Sequence, residues 1–465
     1  MKSIIKSEHV SFQYLHSKAP FLKDIHFEVK PGECILICGA SGSGKTSFSR
    51  LLNGISPNYI EGELKGNIRT ADLKAGEAKI EEYLPIVGSV FQNPKTQHFA
   101  VDTTSELAFP LENIGEDPDS IRKQINEKTD AFQISNLLDR NIFELSGGEK
   151  QQIAFVAANM LNPNILILDE VTSNLDQKAI NKMTQMVQQL KSKNMTIIIF
   201  EHRLSWAKDV VDRYVLFEDG KIINEWSAFE FNEMTNEELH HLGLRSMNLS
   251  SYRKKIQEKR SPLTDNKKSI LQTKDLEIGY SNRKVLSKLN LNFHSNNITG
   301  LMGANGTGKS TLANTLTGLQ EPISGEVLWN GEKITSKQLI KKSFLVMQDM
   351  NYQLFSDSVE DEILLGSKYP NNLDEVVETL NLTPYQKRHP MSLSEGQKQR
   401  VAIASAILSG KEILIFDEPT SGLDYLHMKR FGQLLERLKT KQRVIIVITH
   451  DEELAAEWCD SIIKL

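Results

Sequence analysis

The chain has 465 residues, a formal net charge of −5, and a composition that is 39 % apolar and 25 % charged. These values are typical of globular proteins with packed cores, and the negative charge gives no bias toward nucleic acid. Three cysteines are too few for a disulfide framework, so we expect a reducing cytoplasm. The first residues lack the apolar core of a signal peptide, and no apolar run approaches about 18 residues, so we expect no leader and no membrane-spanning helix.

The first chemically informative element is a glycine-rich loop behind an apolar run, and it occurs twice. Residues 39–46 (GASGSGKT) and 303–310 (GANGTGKS) both match the phosphate-binding P-loop pattern. Its glycines bring backbone N–H groups against phosphate oxygens, and the helix behind the loop points its positive end at them. The following lysine adds a charge at the β- and γ-phosphates, and the Thr or Ser hydroxyl ligates Mg²⁺. The sequence therefore predicts two nucleotide sites.

The chain is a tandem repeat, because the same motifs recur in the same order. The two P-loop lysines lie 264 residues apart, and from Ser146 and Ser394 onward the offset is 248. Length alone suggests about three domains of ~150 residues, but the repeat predicts two, at 1–245 and 270–465. The segment 246–269 is rich in Lys and Arg and poor in apolar residues, which predicts a basic, solvated linker, with a weak contact to anionic lipid headgroups as the alternative.

Two apolar runs, 165–168 and 413–416, have the character of buried parallel strands. Together with the P-loops they predict an α/β fold. Each run ends in Asp-Glu. A carboxylate at the end of such a strand lies beside the P-loop and can hold Mg²⁺, and the adjacent glutamate can orient or deprotonate a water molecule. The metal candidates are Asp169 and Asp417, and the catalytic candidates are Glu170 and Glu418.

Residues 145–152 (LSGGEKQQ) and 393–400 (LSEGQKQR) precede these carboxylates at equal spacing. The octapeptides resemble the signature motif of the ABC family of ATPases, and the resemblance covers nearly all of the chain. It implies two tandem P-loop NTPase domains, each with a RecA-like core, an antiparallel β subdomain and a helical signature subdomain. It also implies that the domains pair within the chain, each signature facing the γ-phosphate bound by the other P-loop. The signature residues expected to bind ATP are Ser146, Gly147, Gly148, Ser394 and Gly396.

The other motif residues of the family are present in both halves. The resemblance makes His202 and His450 switch histidines with a catalytic role, and residues 173–176 and 421–424 D-loops. Tyr14 and Tyr280 match the aromatic residue that stacks on adenine, with ordinary strand tyrosines as the alternative. The expected ATP-binding loop residues are Gly39, Ser41, Gly42, Gly44, Lys45 and Thr46, and Gly303, Asn305, Gly306, Gly308, Lys309 and Ser310. Q-loop residues Gln92 and Gln348 are expected to bind both ATP and Mg²⁺, and Thr46 and Ser310 to complete the Mg²⁺ ligands.

The Q-loop segments are the most discriminating part of the sequence. Residues 91–99 (FQNPKTQHF) resemble the QNPxxQ-type Q-loops of energy-coupling-factor importers, which take up vitamins and transition metals; in residues 348–355 (QDMNYQLF), Asp349-Met350 replaces Asn-Pro. Fused ATPases occur in a subset associated with uptake of thiamine precursors and related vitamins. The resemblance implies an ATP-hydrolysing subunit at the cytoplasmic face of the membrane. Its partners would be a transmembrane coupling subunit and a substrate-binding membrane subunit, and no nucleic acid is expected.

Two other functions remain open at this point. A fused ATPase of a monosaccharide importer would run the same reaction, although its second half often has degraded catalytic motifs, whereas both Glu170 and Glu418 are present here. A soluble duplicated ABC protein acting on ribosomes usually has a long, charged, helical linker and a basic surface. The cargo itself is not encoded, because ATPase subunits do not contact it.

Glu395 stands where the signature usually has its first glycine. If each signature faces the other domain's nucleotide, the Glu395 signature shares a site with Lys45, Glu170 and His202. A carboxylate near the γ-phosphate would slow ATP hydrolysis at that site. The alternative is that this position tolerates variation without a functional effect.

Overall fold

The computed structural model describes residues 2–15, 17, 19–173, 175–260, 270–280, 283–440 and 442–465. The chain divides into two compact units, Met1–Asn248 and Leu249–Leu465. Each unit contains one antiparallel sheet, one sheet built mainly from parallel strands, and helices that cover them. This is the mixed α/β architecture expected for two tandem P-loop domains.

The described part of unit 1 contains ten strands in two sheets. They are β1 (Ile5–Tyr14), β2 (Leu22–Val29), β3 (Cys34–Gly39), β4 (Gly62–Thr70), β5 (Leu73–Lys74), β6 (Val87–Val90), β7 (Ile165–Asp169), β8 (Thr196–Phe200), β9 (Arg213–Glu218) and β10 (Lys221–Ser227). The antiparallel sheet has the order β2-β1-β4-β5, and the second sheet has the order β10-β9-β3-β8-β7-β6. In the second sheet all pairs except β10–β9 are parallel, so the carboxyl ends of β3 and β7 meet at one edge.

The longer helices of unit 1 begin at side-chain caps that the sequence supplies. Asp102, Asp117, Ser146 and Asp176 each accept a hydrogen bond from a backbone N–H of the first turn, which satisfies a donor the helix leaves unpaired. The helices are α1 (Lys45–Leu52), α2 (Ile55–Asn58), α3 (Ile80–Tyr83), α4 (Thr103–Asn113), α5 (Pro118–Ala131), α6 (Gly147–Ala158), α7 (Gln177–Ser192), α8 (Ala228–Asn232) and α9 (Asn236–His241).

The parallel strands are buried on both faces, which explains their continuous apolar runs. In β7 all five residues are buried. Leu166 and Leu168 face the core shared with the helical part, whereas Ile165 and Ile167 face the core shared with the antiparallel sheet. The prediction of buried parallel strands over 165–168 and 413–416 is confirmed.

Unit 2 repeats this plan. Its strands are β11 (Leu271–Tyr280), β12 (Arg283–Leu289), β13 (Asn292–Phe293), β14 (Asn297–Met302), β15 (Ser324–Trp329), β16 (Glu332–Lys333), β17 (Ser343–Val346), β18 (Ile413–Asp417), β19 (Val444–Ile448) and β20 (Ser461–Lys464). The antiparallel sheet has the order β12-β11-β15-β16, with β13 also paired to β11. The parallel sheet has the order β17-β18-β19-β14-β20, which again brings the end of the P-loop strand β14 near the end of β18.

The helices of unit 2 that follow the P-loop, the Q-loop segment and the signature recur in the same order as in unit 1. The helices of this unit are α10 (Ser250–Glu258), α11 (Lys309–Leu316), α12 (Ser336–Lys342), α13 (Val359–Leu364), α14 (Leu373–Thr379), α15 (Glu395–Leu408), α16 (Tyr425–Leu438) and α17 (Glu452–Trp458). Helices α10 and α17 have no helix at the matching place in unit 1, and α10 falls within the segment expected to be a linker.

The expected solvated linker over 246–269 is not what the structure has in its described part, 246–260. Helix α10 packs on α17, with Tyr252 buried and with Ile256, one turn later on the same face, packed against the core of unit 2. Arg253 pairs with Glu452 at 2.9 Å. Lys259 donates to the carbonyl oxygens of Ala456 and Cys459, both at 2.7 Å. The basic residues therefore anchor a helix, and the rest of the segment, 261–269, lies outside the described residues.

The three cysteines are free and buried, and burial raises the pKa of each thiol to about 12. Across the part of the chain that the structure describes, no helix combines the length and apolar character needed to cross a bilayer. The expectation of no disulfide framework is consistent with both the number and the placement of these residues.

Candidate functional site

Glycine is required at both ends of the first P-loop, between β3 and α1. Gly39 and Gly44 have φ angles of 143° and 107°, where other residues are strained. A Cβ on Gly39 would lie 2.1 Å from the carbonyl oxygen of Phe217, and one on Gly44 would lie 2.8 Å from Leu22. The loop can therefore close tightly only with these residues. A Cβ on Gly42 would meet nothing within 4 Å, but its φ of 83° also favours glycine.

Each P-loop lysine is buried and folded over its own loop. The Nζ atom of Lys45 donates to the carbonyl oxygens of Gly39 and Ala40 at 2.9 and 3.0 Å. Lys309 makes the equivalent bonds to Gly303 and Ala304 at 2.7 and 2.8 Å. Both ammonium groups thus lie in the concave part of the loop, where a phosphate would need a cation.

A hydroxyl and a carboxylate meet beside the P-loop of unit 2. In unit 2 the Ser310 hydroxyl donates to Asp417 at 2.7 Å. In unit 1 Thr46 is exposed, and Asp169 is buried at the end of β7. Burial, followed by the nearby charge of Glu170, raises the pKa of Asp169 to about 7, and burial raises the pKa of Asp417. These oxygen donors suit Mg²⁺, whose charge would offset the cost of burying the carboxylates.

The predicted catalytic residues of unit 1 meet in one cluster. The Glu170 carboxylate accepts a hydrogen bond from Gln92 Nε2 at 2.9 Å and lies 3.3 Å from His202 Nε2. His202 Nε2 is also 3.4 Å from Lys45 Nζ. Glu170 has a φ of 47°, and its N–H donates to Phe200, so the strand end itself turns this side chain toward the cluster. Residues far apart in sequence are thereby brought to one place.

Unit 2 forms a related cluster with a different partner for its histidine. His450 Nε2 lies 3.5 Å from Glu418 Oε1 and 2.9 Å from Asn305 Oδ1, which belongs to the P-loop. Glu418 has a φ of 50°, matching Glu170. Gln348 follows β17 at the position that Gln92 takes after β6.

The two signatures form exposed helix starts. Ser146 caps α6 and exchanges hydrogen bonds with Glu149, and Ser394 caps α15 and exchanges them with Gln397. A Cβ on Gly148 would lie 2.7 Å from Ala179 of α7, whereas one on Gly147 would meet nothing within 4 Å. In unit 2 the signature residue Gln399 donates to the backbone carbonyl of Glu418 at 3.1 Å. The Glu395 side chain lies outside what the structure describes.

The two candidate adenine-stacking tyrosines differ. The Tyr14 hydroxyl is 2.6 Å from Ser47 Oγ of α1, and its ring packs edge-on against Phe12 and Phe21. Tyr280 is 60 % exposed at the end of β11. Stacking on adenine stays a prediction for both.

The second glutamine of each Q-loop segment has a structural role that the motif alone did not assign. Gln97 accepts from the N–H of Phe91 at 3.1 Å and donates to the carbonyl of Ser89 at 2.9 Å. Gln353 does the same to Met347 and Leu345 at 3.0 and 2.7 Å. These glutamines fix the Q-loop to the edge strand. The signal was their shared offset of 256 residues from one half to the other.

A buried carboxylate beside the switch histidine changes place between the units. In unit 1 Glu201, just before His202, accepts from the Thr172 hydroxyl at 2.7 Å and from the N–H of His202 at 3.0 Å. In unit 2 Asp451, just after His450, accepts from the equivalent Thr420 hydroxyl at 2.8 Å. Burial raises the pKa of Glu201, and the charge of Glu170 acts in the same direction. The differing sequences around the histidines are thus alternative ways to hold the segment that follows the candidate catalytic glutamate.

We expect Glu201→Ala to destabilise unit 1, because Thr172 and two backbone N–H groups would lose their acceptor. Leaving buried donors unsatisfied costs about 1–3 kcal/mol, which lowers the melting temperature of a domain of this size by roughly 2–12 °C. The measurement is thermal unfolding followed by calorimetry. Glu201→Thr with Arg203→Asp reproduces the unit 2 residues and should recover part of the loss. A single alanine variant as stable as the wild type would contradict this role.

Comparison with known proteins identifies relatives of both units. A model of the family described as ABC transporter matches residues 22–173 and 286–421. A Treponema denticola protein, provisionally named an ABC transporter ATP-binding protein, is 39 % identical over 465 residues, covering 99 % of this chain and 95 % of its own. A Bacillus subtilis protein, provisionally named HMP/thiamine import ATP-binding protein YkoD, is 28 % identical, covering 99 % and 90 %.

Among solved structures, a chain of a model of ribosome-bound archaeal Pelota and ABCE1 has a TM-score of 0.69 and 20 % identity, covering 98 % of this chain and 76 % of its own. At this identity the likeness concerns the fold alone. The matched family segments and the relatives that align over nearly the full length show that this chain belongs to the ABC transporter family, as an ATPase with two copies of the ATP-binding domain.

Proposed function

We propose that this chain is the ATP-hydrolysing subunit of a membrane importer of the energy-coupling-factor type, and that it powers uptake of a vitamin or related small molecule. Its place would be the cytoplasmic face of the membrane. Hydroxymethylpyrimidine or thiamine is the leading cargo class, supported by the Q-loop resemblance and by the similarity to YkoD. The observation that carries the proposal is an exposed apolar patch in the same place on each unit.

The patch of unit 1 consists of Phe99, Val101, Phe109 and Phe143, which are 75, 63, 37 and 74 % exposed. Phe99 and Phe109 stack with ring centroids 5.1 Å apart. Phe143 is held nearby, because the next residue back, Ile142, donates its N–H to the carbonyl of Val101. Exposed aromatic residues grouped in this way are typical of a surface that a protein partner covers.

Unit 2 presents apolar residues at three of these four positions. Phe355, Leu365 and Met391 are 74, 64 and 44 % exposed, and they correspond to Phe99, Phe109 and Phe143. Asp357 stands in place of Val101. The two patches are therefore alike in kind but not identical, which suits two different segments of a membrane partner.

A buried glutamate holds each patch in shape. Glu106 Oε2 accepts from the N–H groups of Phe99 and Ala100, both at 2.8 Å. Glu362 Oε2 accepts from Phe355 and Ser356, both at 2.7 Å. Burial works against the charged form of Glu106, but the bonds from His98 and the two N–H groups outweigh it and lower the pKa below its ordinary value. The exposed phenylalanines thus stand on backbone that is fixed by charge-assisted bonds.

The chemistry of the clusters suits ATP hydrolysis. Lys45 and Lys309 are placed to neutralise phosphate charge, and Thr46 with Asp169, and Ser310 with Asp417, offer the oxygen donors that would hold Mg²⁺. Bound Mg²⁺ would supply Lewis-acid stabilisation of the phosphate oxygens. Glu170 and Glu418 can orient a water molecule and take its proton, and the adjacent histidines hold these carboxylates in position.

The monosaccharide importer stays an alternative with another cargo. Its second half often has degraded motifs, but here Glu418 and His450 are both present and adjacent. For action on ribosomes, the similarity to the ABCE1 structure concerns the fold alone. The paired apolar patches favour a protein partner with apolar segments over RNA.

We expect Phe99→Asp combined with Phe355→Asp to release the chain from the membrane fraction. Loss of a central aromatic anchor costs about 2 kcal/mol or more, which is roughly a 30-fold loss of affinity for each patch. The measurement is the share of the chain that sediments with native membranes when it is expressed with its partners.

The matched control is Phe229→Asp, because Phe229 is 77 % exposed but lies outside both patches. It should sediment like the wild type, and all variants should still bind ATP. If the double patch variant sediments with membranes as the wild type does, the patches are not the docking surfaces.

A further inference from the structure

Two histidines and an aspartate converge on the outer face of the antiparallel sheet of unit 1, away from the clusters described above. His9 Nδ1 lies 2.9 Å from Asp24 Oδ1, and His26 Nε2 lies 3.4 Å from the same oxygen. The two imidazole rings meet edge to face with centroids 4.1 Å apart. One ligand atom from each of the three residues lies within 4.8 Å of the other two.

From this juxtaposition we propose that His9, Asp24 and His26 form a binding site for a transition-metal dication of the Zn²⁺ class. Two imidazole nitrogens and one carboxylate oxygen are a donor set that such ions prefer. Tetrahedral coordination with bonds of about 2.0–2.1 Å places ligand atoms roughly 3.3 Å apart. The distances here approach that spacing, so small side-chain rotations suffice to admit the ion.

The backbone below the cluster is regular strand interrupted by a bulge. Strands β1 and β2 are paired, and their register shifts between Ser7 and Val10. His9 and Asp24 have φ angles of 52° and 54°. Ile25 and Phe27 alternate with the ligands and are buried in the core, which directs Asp24 and His26 outward. The ligands therefore project from a sheet and not from a mobile loop.

The cluster is open to solvent on this face of the sheet. The three side chains are 76, 68 and 53 % exposed, in the order His9, Asp24, His26, so an ion can enter and complete its coordination with water. An exposed three-ligand site of this kind takes free aqueous ions.

Unit 2 provides an internal control for the backbone. Asp275 and Lys288 occupy the positions of His9 and Asp24 with φ angles of 45° and 54°. Asn290 occupies the position of His26 and exchanges hydrogen bonds with Asp275 at 2.9 and 3.1 Å. The fold therefore keeps the same bulge without any histidine. The histidines of unit 1 are not needed to build it.

The test is equilibrium competition for Zn²⁺ between the tag-free full chain and a chromophoric chelator. Nucleotide is omitted, and excess Mg²⁺ occupies the P-loop carboxylates. His26→Asn installs the residue that unit 2 carries, and His9→Asn replaces the other imidazole by a residue that tolerates a positive φ, so folding should be preserved, which thermal unfolding and ATP binding verify. His241→Asn removes an exposed histidine outside the cluster and serves as the matched control.

We expect the wild type and His241→Asn to bind one Zn²⁺ with the same affinity. Both cluster variants should bind this ion about tenfold more weakly or worse, because loss of even an outer-shell partner lowers metal affinity about 10–100-fold. Co²⁺ should give a visible d–d absorption in the wild type that His26→Asn lacks. If the cluster variants bind Zn²⁺ as the wild type does, or if the wild type draws no Zn²⁺ from the chelator, the proposal is wrong.

Discussion

Replacing both Glu170 and Glu418 with glutamine is expected to abolish ATP hydrolysis while leaving ATP binding in place. Each carboxylate lies beside its switch histidine, 3.3 Å away in unit 1 and 3.5 Å away in unit 2, where it can accept a proton from water. Glutamine keeps the shape but cannot accept that proton. Removing a general base lowers a rate by about 10²–10⁴-fold. Phosphate release and equilibrium binding of a fluorescent ATP analogue are the two measurements.

The single variants test whether the two sites contribute equally. On the pairing that the family resemblance implies, the signature with Glu395 serves the nucleotide held by Lys45, and its negative charge would slow that site. Glu418→Gln should then remove more activity than Glu170→Gln, and Glu395→Gly should raise turnover. Equal losses from the two glutamine variants, with no gain from Glu395→Gly, would rule out this asymmetry.

Lys45→Ala and Lys309→Ala are each expected to weaken ATP binding at one site. Each Nζ is held over its loop by two carbonyl oxygens, so the ammonium group is positioned before the nucleotide arrives. Loss of one charge-assisted bond to phosphate costs roughly 1.5–3 kcal/mol, or about ten- to a hundredfold in affinity. Titration with an ATP analogue should show one weakened site in each single variant and two in the double variant.

The control for these variants is Lys123→Ala, because Lys123 is exposed on α5 and has no phosphate loop near it in sequence. It should bind ATP like the wild type. The melting temperature should change little in all of these variants, because the P-loop lysines are expected to bind phosphate and not to hold the fold together. Unchanged ATP affinity in Lys45→Ala, or a melting temperature far below that of the wild type, would contradict this assignment.

The sequence was sufficient to predict the parts of the fold and of the candidate site that have strong local patterns and occur twice. Glycine-rich loops and apolar strands ending in Asp-Glu are local patterns, and each one recurs in the second copy. Glu170, His202 and Gln92 meet because they follow the neighbouring strands β7, β8 and β6. The resemblance to ABC proteins supplied the roles.

What the sequence did not predict depends on packing between distant segments. The basic composition of this segment concealed an amphipathic turn that contains Tyr252 and Ile256. Its apolar face can be recognised only when α17 is placed beside it. The exchange of Glu201 for Asp451 is visible only when Thr172 and Thr420 are placed opposite them. The histidine cluster joins residues of two strands whose pairing register includes a bulge, which pattern alone does not fix.

The most direct test of the account is to identify what the chain assembles with in native membranes. The Glu170→Gln/Glu418→Gln chain would be purified with ATP from detergent-solubilised membranes, and its partners identified by mass spectrometry. The account predicts stoichiometric integral membrane proteins, including one that binds a small molecule, and their loss in the Phe99→Asp/Phe355→Asp background. Recovery of ribosomal subunits without any integral membrane protein would contradict it.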